Sequence, residues 1–472
     1  MPNDPTTFHG GAPVAPPSRR RALRVATGVA GLTGIVGLAA LGGLAARDDA
    51  PGGAEQVADS RGVAPRTDDG TRAGGEEQGP AGGDQVIPDP GTAGPGARED
   101  GGRLFVVPCD DDALIDALTL ANRNHGGTLR LADNCTYELR AQDPTAGVAL
   151  PVIRQDVTVE GSGSTITRDA EDAFRLFRVT AGGDLTLRNL TVSGGHAGGF
   201  PHPGPAGPNS GPNAGRGAGE GGALLVERGG TARLAGVTLA GNNAEHHGGA
   251  LANYGRTWLR DSWVVDNHTR GDGAGVVNQG LLTVRRTRID HNSAGADGGG
   301  IANRRGGVVE IIGDYRGRGV SPSTLSDNRA GGNGGGLSSG GGFVTVSFTA
   351  ITGNTAGGNG GGLYAVATDL DADEAYVAGN HADGDGGGVL TSGGTTARIV
   401  DGVIVGNTAD GSGGGVHHGE WLVRIEGGPT PRGGPERGDA TLTVRDTDIL
   451  ANTARDGGGV VDCAATVEGC SR

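Results

Sequence analysis

One short phrase recurs along most of this chain and limits what the chain can fold into. It reads Gly-Gly-Gly-Ile at Gly298–Ile301, and related phrases return about every 26 residues between residues 220 and 460. Each copy has a turn residue, two or three Gly or Ala, and then a branched aliphatic residue. A segment that returns at a near-constant interval is one structural unit stacked on copies of itself. The chain is therefore predicted to be a repeat protein.

The stretches between the phrases indicate which kind of repeat this is. They hold short alternating runs, such as Leu282–Val284 and Thr441–Val444, and no helical periodicity of useful length. Gly is abundant, at 98 residues, but its periodicity argues against a low-complexity chain. Short strands and glycine turns are typical of a parallel β-helix, with about three strands and three turns per coil. We predict an all-β, right-handed parallel β-helix over residues 103–472, with a short capping helix at its N-terminus.

Asparagine recurs at the same interval as the glycine phrase. Stacked coils place equivalent side chains in line about 4.8 Å apart, where amides can hydrogen-bond to one another as a ladder. Asparagine precedes each turn at the positions that would form such a ladder: Asn242, Asn267, Asn292, Asn328, Asn354, Asn380, Asn407 and Asn452. A second, shorter ladder is predicted at Asn253, Asn278 and Asn303.

The residues before the repeat predict export from the cell. Residues 1–24 end in a basic segment, Ser18–Arg24, whose order resembles a twin-arginine export signal. Residues 25–46 are apolar and, at roughly 20 residues, long enough to span a bilayer as a helix. Residues 47–102 are rich in Gly, Pro and charged residues, which predicts a disordered linker. Either residues 25–46 remain as a single-pass anchor with the C-terminal domain outside the cell, or they are cleaved and the protein is secreted.

The start of the β-helix carries signals for a cap. Leu104–Val107 alternate as a strand, and Asp110, Asp111 and Asp112 can cap a helix that runs to Asn122. One amphipathic helix before a run of strands suits a lid over the open end of a stack, where a sheet edge and a core would otherwise be exposed.

Four cysteines are present, and pairing is expected in an exported protein. Of the three connectivities, Cys109–Cys135 with Cys463–Cys470 is favoured, because each pair then lies at one end of the ordered region. A metal site is disfavoured, because no further ligands lie nearby at a suitable spacing.

Two repeats carry the phrase in its fullest form, at Gly353–Leu363 and Gly406–Val416. They resemble the repeats of polymorphic outer-membrane proteins, and the chain from about residue 104 resembles bacterial right-handed parallel β-helix repeat proteins. Asn134–Tyr137 resembles part of the N-terminal cap of exported proteins in this group. The resemblance implies the fold. It leaves the activity open, since the group includes both adhesins and structural proteins.

Candidate chemistry lies at the position just before each Gly pair. Stacked carboxylates about 4.8 Å apart repel one another unless a cation or hydrogen bonds compensate them. One hypothesis is a Ca²⁺ ion between Asp272 and Asp297. The other, which we favour, is that each side chain caps its own turn, since Asn and Ser serve that purpose equally well. His268 and His381 are expected to lie outward in turns. Coil by coil, the position reads Glu220, His247, Asp272, Asp297, Asn333, Asn359, Asp385, Ser412 and Asp456.

Three insertions interrupt the rhythm, at residues 197–219, 304–322 and 417–438. We expect the second and third to leave the same point of the coil, about four coils or ~19 Å apart. They would then wall a groove for an acidic or sugar ligand, unless they are only tolerated surface decoration. The side chains that suit a groove are Arg304, Arg305, Tyr315, Arg316 and Arg318 in the second insertion and Trp421 in the third.

These observations favour a function without assigning a site. The net charge of −15 argues against a nucleic-acid partner. No catalytic, cofactor-binding or metal-binding residue is assigned. The favoured interpretation is a monomeric, surface-displayed or secreted module for adhesion or envelope interaction, with a polysaccharide or another surface protein as partner. The alternatives are a lyase or glycoside hydrolase acting on an acidic polysaccharide, and a purely structural cell-wall protein.

Overall fold

A computed structural model describes residues 103–143, 146–198, 218–316, 319–419, 440–458 and 461–463. The predicted basic region 1–24, apolar segment 25–46 and linker 47–102 lie outside these ranges, as do most of the first and third insertions. Among the described residues, no helix is long and apolar enough to cross a membrane.

The N-terminal part holds a strand, the helix and the first coils. Its elements are β1 Leu104–Val107, α1 Asp111–Arg123, β2 Gly127–Leu131, β3 Thr136–Leu139, β4 Asp156–Arg168, β5 Phe177–Val179, β6 Asp184–Ser193 and β7 His196–Ala197.

The remaining strands follow one another in groups, one group to a coil and usually four strands to a group. In two coils the first two strands are merged into one, at Leu337–Ser347 and Leu363–Asp373, and one coil carries an additional hairpin, Asp314–Arg316 with Gly319–Ser321. In chain order they are β8 Leu224–Val226, β9 Thr231–Ala235, β10 Thr238–Ala240, β11 Asn243–Ala244, β12 Leu251–Asn253, β13 Arg256–Arg260, β14 Trp263–Val265, β15 His268–Thr269, β16 Val276–Asn278, β17 Leu281–Arg285, β18 Arg288–Asp290, β19 Ser293–Ala294, β20 Ile301–Asn303, β21 Val308–Ile312, β22 Asp314–Arg316, β23 Gly319–Ser321, β24 Ser323–Ser326, β25 Arg329–Ala330, β26 Leu337–Ser347, β27 Thr349–Thr352, β28 Thr355–Ala356, β29 Leu363–Asp373, β30 Tyr376–Ala378, β31 His381–Ala382, β32 Val389–Ser392, β33 Thr396–Val400, β34 Val403–Val405, β35 Thr408–Ala409, β36 Val416–Gly419, β37 Thr441–Arg445, β38 Asp448–Leu450, β39 Thr453–Ala454 and β40 Val461–Cys463.

The strands pair in parallel, each with its equivalents in the coils before and after it. β12, for example, pairs with β8 and β16, and β13 pairs with β9 and β17. The predicted right-handed parallel β-helix is confirmed, with about 11 turns of about 27 residues.

Each coil has four sides, which we name by one representative strand each. Face 1 contains β12, face 2 contains β13, face 3 contains β14, and face 4 contains the two-residue strand β15. The predicted three strands per coil were one too few. A two-residue strand is too short to produce a visible alternation of apolar and polar residues, so face 4 was not recognised.

The interior of the stack is aliphatic. On face 2 the inward residues of successive coils pair with one another, so like side chains pack on like. None of the following exposes more than 1% of its surface: Leu187, Leu234, Leu259, Val284, Ile311 and Val346. Thin, repeated layers of this kind need no large aromatic residues, which agrees with the aromatic content of 3%.

The predicted asparagine ladder runs inside the corner between faces 3 and 4. Asn354 shows the pattern: its Oδ1 accepts hydrogen bonds from the backbone N–H and from Nδ2 of Asn328, both at 3.0 Å. Its own Nδ2 donates to Asn380 Oδ1 and to the carbonyl of Leu325, both at 2.9 Å. Each amide thus satisfies a backbone donor and a backbone carbonyl of the preceding coil, and it donates to the amide of the next coil. The shorter ladder is also present, with Asn253 Nδ2 donating to Asn278 and Asn278 Nδ2 to Asn303.

The glycine phrase is the corner between faces 4 and 1. Gly298 has φ +68°, and a Cβ there would lie 2.4 Å from the carbonyl oxygen of Ile301. The first Gly of the phrase is therefore required both by its left-handed conformation and by the close approach of the turn to the following strand.

The N-terminal cap is present as predicted. Asp110 caps α1 by accepting a hydrogen bond from the N–H of Ala113 at 2.8 Å. Leu114, Leu118 and Ala121 are buried and belong to the same hydrophobic core as the first coils. The predicted Cys109–Cys135 disulfide joins the segment before the helix to the segment before β3. The predicted Cys463–Cys470 pair lies outside the described residues, because Cys470 does.

The ladder predicts that replacing a buried asparagine lowers the stability of the protein more than replacing a neighbouring residue does. Asn354→Ala would leave the N–H of Asn328 without its acceptor and weaken three further hydrogen bonds. Because buried unsatisfied groups cost about 1–3 kcal/mol each, we expect a loss of about 2–4 kcal/mol, measured as a lower urea midpoint. Thr355→Ala, one residue further along, is the matched control. Equal midpoints for the two variants would contradict the role of the ladder.

The disulfide predicts local stabilisation of the cap. Removing it by the double substitution Cys109→Ser and Cys135→Ser opens a loop with a sequence separation of 26 residues. The chain-entropy relation gives a loss of about 3–4 kcal/mol for a loop of this size. Hydrogen exchange should therefore quicken at the amides of α1 and β1 while those of β17 keep their protection. Unchanged exchange in α1 would show that the bond contributes nothing to the cap.

Candidate functional site

The position before each Gly pair forms a row along the edge of face 1, and its hydrogen bonds differ from those predicted. Asp272 Oδ1 accepts the backbone N–H of Asp297 at 3.2 Å, and Asp297 Oδ1 accepts that of Asn333 at 2.7 Å. Asp385 Oδ1 does the same for Ser412, at 2.7 Å. Each side chain caps the turn of the next coil and not its own turn, because equivalent turns lie one coil spacing apart, within reach of a short side chain.

His247 belongs to the same row and is the one imidazole in it. Its Nδ1 accepts the backbone N–H of Asp272 at 3.0 Å. Neutral His247 therefore carries its proton on Nε2. Burial lowers the pKa of His247 below its ordinary value, and Arg304 lowers it further, while Asp272 and Glu220 oppose the shift. At neutral pH the ring is uncharged and offers an N–H donor.

Asp272 is the centre of a charged cluster. Its Oδ2 lies 3.0 Å from Arg304 Nη2 and 3.5 Å from His247 Nδ1. The three side chains come from three successive coils, and each is about one-quarter exposed. Face 1 thus presents an imidazole, a carboxylate and a guanidinium side by side, in contact with solvent but not fully hydrated.

One coil earlier, a tyrosine and a glutamate form a second pair. Tyr254 Oη donates to Glu220 Oε2 at 2.5 Å, and both residues are half-buried. Arg175 lies nearby and is 5% exposed. Its burial, together with Arg178, lowers the pKa of Arg175 to about 10, although Glu220, Glu227 and Tyr254 act in the opposite direction. A buried arginine therefore lies close to the Tyr254–Glu220 pair.

A small apolar cluster, covered from solvent, lies on the outer side of face 1. The outward residues of face 1 in four successive coils, Leu225, Ala252, Val277 and Ala302, are buried, and Tyr254 packs against them. We call this floor, together with His247, Asp272, Arg304, Glu220 and Tyr254, the face-1 cleft.

A recess adjoins the cleft at the corner between faces 1 and 2. The turns there are only two residues long in two coils, at 254–255 and 279–280, but four residues long in the flanking coils, at 227–230 and 304–307. Two short turns between longer ones leave a notch of about 500 Å³, which we call the corner notch. It is lined by Gly229, Gly230, Thr231, Tyr254, Gly255, Arg256, Gly280, Leu281 and Gly306.

The predicted calcium site at Asp272 and Asp297 stays a prediction. Oxygen ligands are present, but both oxygens of Asp272 already have protein partners, Arg304 and the N–H of Asp297. Asp297 Oδ1 accepts from Asn333, and burial raises the pKa of Asp297, with Asp272 adding to the shift. Arg304 and backbone donors thus supply the compensation that the stacked carboxylates require.

The expectation that the second and third insertions leave the same point of the coil is wrong. The extra residues of the second insertion form a hairpin, β22 with β23, between faces 2 and 3. The third insertion follows β36 and leaves the corner between faces 1 and 2. The interval between two glycine phrases does not show which corner of a coil holds the additional residues. Of the arginines in the second insertion, Arg304 lies at the cleft.

The histidines divide into several environments. His268 and His381 lie on the short strands of face 4, and His381 Nε2 is 3.0 Å from Asp383. His418 is buried inside the stack, in contact with Thr391 at 2.7 Å. His247 is thus the histidine that joins the face-1 cleft.

Two members of the site were missed in the sequence. Arg175 lies in a coil where the phrase is not yet regular, and Tyr254 follows the face-1 strand instead of preceding it. Aligning whole coils, and not only the glycine phrase, would have placed Tyr254, Gln279 and Arg304 at one equivalent position beside the turn row.

No family model and no curated protein matches the chain. Solved structures that resemble it include the A-module of the Azotobacter vinelandii mannuronan C-5 epimerase AlgE4, at 15% identity and a TM-score of 0.40, over 77% of this chain and 98% of that chain. The A-module of AlgE6 from the same organism has 16% identity and a TM-score of 0.37, over 79% and 98%. The periplasmic alginate epimerase AlgG has 11% identity and a TM-score of 0.39, over 77% and 75%. At these values the likeness concerns the fold alone.

The cluster predicts how the pKa of His247 responds to its neighbours. Arg304→Ala should raise this pKa toward 6.5, because a nearby positive charge is removed, and Asp272→Asn should lower it further. Because the pKa is depressed in the folded state, protonation of His247 opposes folding, and its effect on stability appears as the pH falls below about 6.5. NMR titration of the ring protons measures both shifts. Shifts of the same sign in the two variants would contradict the arrangement.

Proposed function

We propose that this protein modifies an acidic polysaccharide at the face-1 cleft. The observation that carries the proposal is the grouping of His247, Asp272 and Arg304 beside Tyr254 and Glu220, over a floor of small apolar residues. A group of titratable side chains that includes an imidazole with its pKa shifted by burial, as in His247, is typical of catalytic sites. The proteins named above are mannuronan and alginate epimerases, which agrees with this substrate class but carries no part of the argument.

The groups suit removal of a proton next to a carboxylate. A uronate residue loses its C5 proton more easily once its carboxylate is neutralised, and Arg304 is the cation of the cleft that solvent partly reaches. Tyr254 is the group that takes the C5 proton as it passes its own proton to Glu220, along the 2.5 Å hydrogen bond. The electron pair of the C5–H bond is then held by the neutralised carboxylate.

His247 provides a hydrogen-bond donor to the oxygen at which negative charge develops. Its neutral ring carries the proton on Nε2, so it can donate a hydrogen bond to an oxygen of the sugar. If the C4–O glycosidic bond breaks, the electron pair forms the C4–C5 double bond, the departing oxygen takes the proton that Tyr254 removed from C5, and Glu220 returns its proton to Tyr254. If a proton returns to C5 from the other side, the sugar is epimerised. Both reactions share the first step and need no oxidant or reductant.

This proposal takes up the enzymatic alternative of the sequence analysis. An adhesion module or a structural wall protein would use the same β-helix, and we favour the enzymatic alternative because a half-buried imidazole, carboxylate and guanidinium lie in contact. The predicted export, by either route, remains part of the proposal, because acidic polysaccharides of the envelope lie outside the cytoplasm.

The activity is tested by incubating the full-length protein with alginate or polygalacturonate in D₂O. Loss of the C5 proton signal, seen by NMR, reports the step common to elimination and epimerisation. Deuterium at C5 reports return of a proton to that carbon, and unsaturated chain ends, seen by ultraviolet absorbance, report elimination alone. We expect loss of the C5 proton signal on at least one of these polymers and no reaction with neutral dextran.

The variants identify the site. His247→Ala and Tyr254→Phe should each lower the rate by about 10²-fold or more, because the first removes a hydrogen-bond donor to the developing charge and the second removes the proton-transfer group. His268→Ala on face 4 and Tyr376→Phe on face 3 are the matched controls and should retain the wild-type rate. If the C5 proton signal persisted on every uronate polymer, or if both cleft variants kept full activity, the proposal would be overturned.

A further inference from the structure

Face 2 presents an unusual set of side chains in three successive coils. The outward residues of β9, β13 and β17 are Thr231, Arg233, Ala235, Arg256, Trp258, Arg260, Leu281, Thr283 and Arg285. Four of these are arginine, one is tryptophan and none is a carboxylate. In a chain with a net charge of −15, such a composition is a local reversal of charge.

The tryptophan is fixed as a flat surface. The guanidinium of Arg233 lies over the ring of Trp258, with 5.1 Å from Cζ to the ring centroid, and Arg233 is itself held by an ion pair with Asp184 on β6. A cation stacked on an aromatic ring restricts both side chains. Trp258 is half-buried, and Arg256 and Arg260 flank it on the same strand, both exposed.

Arg256 is the cation that is free to bind a ligand. It forms no ion pair with any residue in the described ranges, and it lines the corner notch. The other arginines keep partial partners: Arg260 with Asp261 at 3.2 Å, and Arg285 with Asp314 at 3.6 Å. The notch connects this surface to the face-1 cleft through Tyr254, which belongs to both.

Further along the stack, face 2 carries negative charge instead of positive charge. β29 points Asp369, Asp371 and Asp373 outward. Burial raises the pKa of Asp373, and neighbouring Asp401 and Asp371 add to the shift, as expected for crowded carboxylates. A polyanion is therefore attracted to the coils of β9 to β17 and repelled from the coil of β29.

We propose that Arg233, Arg256, Trp258, Arg260 and Arg285 form a binding surface for an anionic polysaccharide, which we call the face-2 surface. A pyranose ring packs its apolar C–H face on tryptophan, and carboxylate or sulfate groups pair with guanidinium. Three coils span about 10 Å, which suits a short run of sugars. Nucleic acid is a disfavoured ligand for this surface, because tight binding of a phosphate backbone needs more cations than these four arginines. The net negative charge of the chain also repels it. Binding of the polysaccharide at the face-2 surface does not depend on catalysis at the face-1 cleft.

Affinity electrophoresis of the full-length protein tests this surface. Gels contain alginate as the carboxylated polymer, dextran sulfate as the sulfated one, or neutral dextran. We expect retardation by at least one anionic polymer, weakened by salt, and none by dextran. Arg256→Glu, at an exposed residue with no ion pair in the described ranges, should raise the apparent Kd about tenfold. Trp258→Ala should raise it about fivefold, as expected for loss of a stacking contact.

Matched controls come from the same face. Phe343→Ala removes an exposed aromatic residue and Arg398→Ala an exposed arginine, both outside the three coils, and both should bind as the wild type does. His247→Ala should lose activity but keep its retardation, which separates this proposal from that of the cleft. If the Arg256→Glu and Trp258→Ala variants were retarded as strongly as the wild-type protein, the proposal would be overturned. Stronger binding of single-stranded DNA, lost in the same variants, would also overturn it in favour of nucleic acid.

Discussion

The stacking of one coil on the next at a fixed register is the constraint on which everything else in this structure depends. The backbone hydrogen bonds between coils run all along the chain, but they would tolerate a slip by two residues. The asparagine ladder removes that freedom. Each ladder amide accepts the backbone N–H of the preceding asparagine and donates to the following one, so a slipped coil would leave several buried groups unsatisfied.

A fixed register also allows one position to carry different chemistry in different coils. The row at the edge of face 1 needs only an acceptor that reaches the N–H of the next turn. Asn333 and Asn359 satisfy it with amides, Asp272 with a carboxylate and His247 with a ring nitrogen. The structural demand is met in every case, and the remaining atoms of Asp272 and His247 are left to interact with Arg304 and with a ligand. The cleft therefore arises within the repeat and not as an addition to it.

Much of the fold was predictable and most of the site was not, for a physical reason. Glycine corners, asparagine ladders, the helix cap and the Cys109–Cys135 bond depend on local conformation or on strict periodicity, which a sequence displays directly. The cleft depends on which corner a residue occupies. Arg304 could be assigned to an insertion but not to a side of the coil, and Tyr254 was missed because its position is not marked by glycine. The charge reversal on face 2 likewise appears only after outward residues of different coils are aligned.

The ladder also has a consequence for how such a chain can change in length. Asn328, Asn354 and Asn380 have equivalent surroundings, so removal of the stretch from 354 to 379 would bring Asn380 against Asn328 with the same donors and acceptors. Unequal recombination between two coils would thus yield a shorter or longer protein whose junction is already matched. The molecule can gain or lose length in steps of about 4.8 Å. Its two ends, and any ligand contacts on different coils, would move apart or together by whole steps only.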